Sequence, residues 1–441
     1  MQVSYKKIWI IAYPILISLL MEHLIGLTDT AFLGRVGEVE LGASALGGVY
    51  FASLFMLGLG FSIGAQIMMA RRNGEKNYKD IGAILQQGVL FTILIAGAMI
   101  VLSKAFSPLL LGKLIQSEAV YAAATSYLDW RIWGLLFAFV GMMFRAFYVA
   151  TTNTRIMTLN SVVMVLSNAL LNYALIFGKF GFPEMGIAGA AIASTFAEFV
   201  SMAFYVIYTA TRMNWRKYRV FYWSGFKPQL LKRMLGISGW TMIQQFLAVG
   251  TWFIFFLAIE HQGERPLAVT NLVRSVSSII FMTVNAFSST TNTLVGNLMG
   301  ARQTELVLPV AWKCVKFSYM SIFPILLLLA VIPGYVLRIY TNNWDLISAA
   351  IPSLLVMASS YFLSTPGFVY FNAISGTGNT RSAMLLELGA LVVYMAYVFY
   401  VVVYRSADVA VCWTSEHVYG GMLFLLSFWY LKRANWQKKK I

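Results

Sequence analysis

The stretch IWIIAYPILISLLMEHLIGLTDTAFL, residues 8–33, decides how the rest of the chain is read. An α-helix needs about 20 apolar residues to cross the roughly 30 Å of hydrocarbon in a bilayer, and this run exceeds that length. It is too long for the apolar core of a secretory signal, it carries Glu22 and Asp29, and it has no small-residue cleavage site. The reading is a first transmembrane helix, expected to remain in the mature protein.

Comparable apolar runs begin near Leu41, Ile81, Glu118, Ile156 and Gly186, and a second set near Met234, Pro266, Leu306, Leu346, Ser382 and Glu416. Between the sets lies the longest polar connection, which carries Arg212, Arg216, Lys217, Arg219, Lys227, Lys232 and Arg233. The expected organisation is a six-helix lobe over 1–211, a basic cytoplasmic linker over 212–233, a second six-helix lobe over 234–432 and a basic cytoplasmic tail over 433–441. The expected fold class is therefore an all-α polytopic membrane protein of twelve transmembrane helices.

Composition agrees. Hydrophobic residues make up 59% of the 441 and charged residues only 11%, about half the charged share of a soluble domain. A single core stops growing near roughly 250–300 residues, so this much apolar surface needs lipid as its solvent. The net charge of +16 is no nucleic-acid footprint, because Lys and Arg are dispersed in short loops instead of clustered on a soluble face. Counted by alternate loops, 21 basic residues fall on the side of the termini and 7 on the other. Both termini are thus expected in the cytoplasm.

The halves echo each other. ATTNTR, ending at Arg155, joins the fourth and fifth spans, and GTGNTR, ending at Arg381, joins the tenth and eleventh, an offset of about 225 residues. An even number of spans per repeat gives both halves the same orientation, related by a pseudo-twofold axis along the membrane normal, with a central cleft expected between them.

A carboxylate at bilayer depth costs several kcal/mol unless it is paired, hydrated or neutralised. Asp29 is the leading case, with Glu22 seven residues earlier on nearly the same helical face. Pro14 lies fifteen residues before Asp29 and removes one helical hydrogen bond, so this helix can bend. A titratable group on a bendable helix suits proton or Na⁺ coupling. The alternative is a wet carboxylate capping the helix near the headgroups. Glu22 is a secondary ion or substrate candidate, and its plainer reading is a contact with His23 or with an arginine of another span. Arg145 reads as snorkelling toward the interface and Arg131 as interfacial. Arg274 in the eighth span and Glu387 in the eleventh are candidates for a buried structural ion pair. Gln244 and Gln245 in the seventh span are further ion or substrate candidates in the second lobe. The Gly-rich GLGFSIGAQ, Gly58 to Gln66, reads as close helix packing.

Cys314 and Cys412 match no zinc, haem or redox spacing and read as packing residues. Only His23, His261 and His417 are present, with no paired acidic motif, metal-ligand cluster or nucleophile elbow. That weighs against an integral-membrane transferase, so no enzyme activity and no cofactor are expected. A receptor or channel would leave the doubled halves unexplained.

The order P…DTAFLGRVGEVELGA in the first two spans, SNALLNYALIFGKFGFPEMGIAGAAIAST at 167–195, and GTGNTR near the end resembles the multidrug and toxic compound extrusion (MATE) family. The resemblance covers nearly the whole chain, and its motifs look closer to the DinF-like branch than to NorM. It implies an inner-membrane antiporter that expels amphipathic, often cationic drugs or metabolites while H⁺ or Na⁺ enters. It further implies that Asp29 is the coupling aspartate, faced by Asn168 and Asn172 on the fifth span and Ser194 on the sixth, with Pro14 as the kink. Where the DinF-like branch often has a second aspartate this chain has Asn172, so both H⁺ and Na⁺ at Asp29 stay open. NorM has acidic residues in its seventh and tenth spans, where this chain offers only Gln244, Gln245 and the region of Thr365. The expected partners are small organic substrates and membrane lipids, with no nucleic acid and no second copy of the chain. A lipid-linked oligosaccharide flippase of the same superfamily is the alternative, disfavoured by the lack of extra spans and of several cationic residues lining a cavity.

Overall fold

The computed structural model describes residues 4–439 apart from 116 and 224, and Lys440 of the basic tail lies outside them. Helices α1 (Tyr5–Leu33), α2 (Glu38–Gly74) and α3 (Tyr78–Leu114) are followed by α4 (Glu118–Arg131) and α5 (Gly134–Ala150), then α6 (Arg155–Ile176) and α7 (Gly186–Arg212). A single turn, α8 (Trp215–Tyr218), precedes α9 (Pro228–Glu260), α10 (Glu264–Gly300), α11 (Val307–Val331) and the short α12 (Pro333–Arg338). The chain ends with α13 (Trp344–Gly376), α14 (Thr380–Val398), the short α15 (Val409–Cys412) and α16 (Ser415–Arg433). Among the described residues there is no strand.

Among the described residues eleven helices are long and apolar enough to cross a bilayer, and α4 with α5, bent by 46°, make twelve when counted as one span. The bend has a local cause. Leu135 N–H bonds the Ile132 carbonyl and Leu136 N–H the Trp133 carbonyl, three-residue bonds that overwind the helix at the junction. The protein is thus an all-α polytopic membrane protein with the twelve spans read from the apolar runs.

The chain divides into two compact units, Ile17–Met242 and Met1–Leu16 with Ile243–Ile441. The division runs through α1 and α9 and leaves residues 212–233 inside the first unit. There the polar connection is pinned rather than free: Gln86 Nε2 of α3 donates to the carbonyls of Val220 and Tyr222 at 2.8 Å each, and Gln87 Oε1 accepts from the Lys227 N–H at 3.1 Å. The first unit's core gathers Leu33, Ala43, Tyr127, Leu128, Ile176 and Ile187 around α2, α4, α6 and α7. Gly60 and Gly64 of α2 lie against the backbone of Met242 and Ser238 on α9, so closely that a Cβ at either would meet main-chain atoms. Thr241 Oγ1 donates to the Gly60 carbonyl at 2.6 Å across this contact. The other unit packs Val273, Ile280, Val284, Ile322, Leu354 and Tyr361 of α10, α11 and α13 into its core.

The repetition extends to the helix ends. Thr152 (φ +61°) follows α5 and Gly378 (φ +88°) follows α13, an offset of 226 residues. Thr151 N–H bonds the Phe147 carbonyl, and Thr377 N–H bonds the Ala373 carbonyl, in the same register. Asn153 Nδ2 donates to Thr151 Oγ1, and Asn379 Nδ2 to Thr377 Oγ1. Lys76 (φ +60°) after α2 and Arg302 (φ +58°) after α10 are a second such pair at the same offset. Asn77 N–H reaches the Arg72 carbonyl and Gln303 N–H the Leu298 carbonyl, the left-handed Schellman closure of a helix C-terminus.

Candidate functional site

Helix α1 runs unbroken through the buried Pro14 and carries Asp29 one turn before its end. Asp29 is half-buried, and both carboxylate oxygens have protein partners. Asn172 Nδ2 of α6 donates to Oδ1 at 2.5 Å, and Ser194 Oγ of α7 donates to Oδ2 at 2.8 Å. Asn168, one turn before Asn172 on the same helix face, closes the network. Its Nδ2 donates to Ser194 Oγ at 3.1 Å and its Oδ1 accepts from Asn172 Nδ2 at 3.1 Å. Asn168, Asn172 and Ser194 are all buried, while Asn172 Oδ1 is buried without a protein partner. The structure therefore brings together the acid and the three polar residues named from the sequence. Charge-assisted hydrogen bonds of this kind hold a carboxylate in one orientation.

One helical turn beyond Ser194, Glu198 makes a feature that sequence reasoning missed. Arg131, the last residue of α4, meets it with two parallel hydrogen bonds, Nη1 to Oε2 at 2.9 Å and Nη2 to Oε1 at 2.7 Å. The Arg131 guanidinium also stands 3.6 Å from the centroid of the Phe51 ring and lies within electrostatic reach of Asp29. Arg131, read from the sequence as interfacial, is thus a half-buried ion-pair partner of the buried Glu198. The signal was present in the sequence: one acid and one base, each inside an apolar span, need each other.

Other residues fall as follows. Arg145, read as snorkelling, has a partner in the protein: its Nη1 pairs with Glu22 Oε1 at 2.6 Å, and Ser18 Oγ donates to the same oxygen at 3.2 Å. Glu22 is exposed, and its arginine comes from another span, the second of the two contacts weighed for it. Arg274 and Glu387 do not meet. Arg274 of α10 lies 5.4 Å from the Phe256 ring of α9, whereas Glu387 of α14 turns toward α16 and accepts from Tyr419 Oη at 3.1 Å. Gln244 and Gln245 lie half-buried on α9.

Comparison with known proteins bears on this arrangement. The MatE family model matches residues 14–174 and again 241–400, one copy per half. The chain is 24% identical over 386 residues to the "Probable multidrug resistance protein NorM" of Idiomarina loihiensis, covering 87% of this chain and 83% of that protein. It is 25% identical over 447 residues to the protein of the same name from Thermotoga maritima, covering 99% and 94%. The solved structure of a MOP superfamily transporter from Pyrococcus furiosus superposes with a TM-score of 0.88 at 16% identity, covering 99% of this chain and 97% of that one. The two sequence relatives carry the NorM name and give no support to a placement nearer the DinF-like branch. With both family matches together spanning well over half of its length, the chain belongs to the MatE family of multidrug and toxic compound extrusion transporters.

Proposed function

We propose that the protein is a secondary antiporter that exports amphipathic, often cationic compounds in exchange for H⁺ or Na⁺, with Asp29 as the group that takes up the ion. The observation that carries this reading is the engagement of both Asp29 oxygens by Asn172 and Ser194, from two other spans. A single ion arriving at this carboxylate changes the contacts of α1, α6 and α7 at once. Loss of the negative charge removes the reason for two donors to converge there, and α1 is then free to repack, with Pro14 as its weak point. A proton needs only the carboxylate. Na⁺ needs several oxygens, and the unpartnered Asn172 Oδ1 is available as one of them.

The names of the relatives, multidrug resistance proteins and a transporter, support export in place of catalysis. The asymmetry of basic loop residues supports placement in the cell (inner) membrane with both termini cytoplasmic. The test is efflux of a fluorescent cationic dye from proteoliposomes under separately imposed pH and Na⁺ gradients. The active gradient identifies the ion, and Asp29→Asn is expected to abolish gradient-driven efflux. Wild-type rates in that variant would remove Asp29 from the mechanism.

A further inference from the structure

The unit containing the C-terminal half holds two acids that the reading above does not use. Glu387 of α14 is 5% exposed, and Glu416 of α16 is half-buried. Each accepts from a tyrosine of the other helix. Tyr419 Oη of α16 donates to Glu387 Oε1 at 3.1 Å, and Tyr394 Oη of α14 donates to Glu416 Oε1 at 3.4 Å. Glu387 and Tyr394 are two turns apart on one helix, and Glu416 and Tyr419 one turn apart on the other. The result is a crossed double pair, with the two tyrosine rings edge to face at 5.7 Å between the acids. Glu387 Oε2 is buried with no partner at all. Among the described residues neither glutamate has a Lys, Arg or His within ion-pair distance, and Arg274, the cation expected to serve, lies against Phe256.

A buried, uncompensated carboxylate inside a span is costly. Something must cancel the charge. The group that faces Glu387 from the packed elements is Tyr419 of α16; Tyr394 bonds Glu416, and Tyr361 of α13 bonds Ser277. None is a cation. A metal ion asks for a larger set of oxygens, and no group of three or more His, Cys, Asp or Glu that could hold one occurs among the described residues. A proton asks only for a carboxylate oxygen, and a protonated acid still accepts the tyrosine hydrogen bond through its carbonyl oxygen.

We infer that Glu387 is a second proton-binding site of this protein, carried as the neutral acid between α14 and α16 with its proton on Oε2. The bond formed is O–H on Oε2 and the bond broken is an O–H of a hydronium ion, which leaves as water, while Tyr419 keeps its bond to Oε1. The repeat gives this place added meaning. At the offset of 226, α14 and the α15–α16 segment stand where α6 and α7 stand in the first half, and Tyr394 falls at the position of Asn168. The site thus lies between the spans equivalent to those that hold Asp29, and away from the seventh and tenth spans where NorM carries its acids. The inference does not depend on Asp29 being the coupling group.

Infrared difference spectroscopy of the full chain in lipid, in the Asp29→Asn background, tests it without any transport assay. At neutral pH a protonated-carboxyl carbonyl band is expected, unchanged when K⁺ replaces Na⁺. Glu387→Gln should remove it. Tyr419→Phe, which keeps the acid and alters only its hydrogen bond, should shift the band to higher frequency. Absence of the band, its loss on adding Na⁺, or its indifference to both substitutions would each overturn the assignment. Whether Asp29→Asn still transports has no bearing on this outcome, so the two readings fail separately.

Discussion

Asn172 Nδ2 donates to Asp29 Oδ1 across 2.5 Å, joining residues 143 positions apart in the chain. A hydrogen bond to a charged acceptor contributes about 1.5–3 kcal/mol. Asn172→Ala is therefore expected to lower gradient-driven efflux by roughly tenfold or more, a factor that corresponds to ~1.4 kcal/mol, without reducing membrane insertion. Asn168 bonds Ser194 and Asn172 and bears on Asp29 less strongly than either of them, so Asn168→Ala should have the milder effect. Initial rates in proteoliposomes check both, and equal rates for the two variants would contradict the ordering.

The Arg131 and Glu198 pair makes a different prediction. Removing one partner of a buried pair strands the other charge and costs about 3–5 kcal/mol, whereas replacing both with apolar groups is often close to neutral. Arg131→Met and Glu198→Met should each lower the thermal unfolding midpoint in detergent markedly. The double variant should recover most of the loss. Additive losses would show that the two side chains act independently.

For Glu22 and Arg145 the same logic gives a small number. Both side chains are in part open to solvent, at 41% and 23% exposure, and ion pairs of that kind contribute about 0–1 kcal/mol. Glu22→Gln is expected to leave both the unfolding midpoint and the efflux rate near wild type. A loss of efflux comparable to that of Asp29→Asn would promote Glu22 to the coupling site.

Thr152 adopts φ +61° where the second half has Gly378 at φ +88°. A left-handed backbone costs an ordinary residue about 1–2 kcal/mol, and glycine gives back part of that through the entropy it loses on folding. Thr152→Gly should raise stability by up to about 1 kcal/mol. Gly378→Thr should lower it by about 1–2 kcal/mol. Midpoints measured side by side decide it, and a destabilised Thr152→Gly would mean that the Thr152 side chain is needed where it stands.

The spans were legible because a bilayer imposes one coarse demand, a long apolar run, and each run announces itself. The bent fourth span was read as one run beginning near Glu118; the 46° break inside it depends on local hydrogen bonds that hydropathy does not register. The neighbours of Asp29 came from the resemblance, since nothing in the spacing of Asn168, Asn172 and Ser194 says which helices meet. Arg274 and Glu387 show the limit from the other side. Opposite charges in two spans look like a pair on paper, but the contact depends on which helix faces turn together, and α14 turns Glu387 toward α16. Glu198 was overlooked inside AEFVSMAFYV for the same reason in reverse, because its partner sits at the end of a helix read as interfacial.

The doubled helix ends supply every residue with an internal control 226 positions away. Applied to the first helix, that rule has a chemical consequence: the positions 226 and 227 residues beyond Asp29 are Phe255 and Phe256. The framework recurs but this acid does not, so an ion cycle built on Asp29 is lopsided by construction, with a repeated scaffold and a coupling charge in one half.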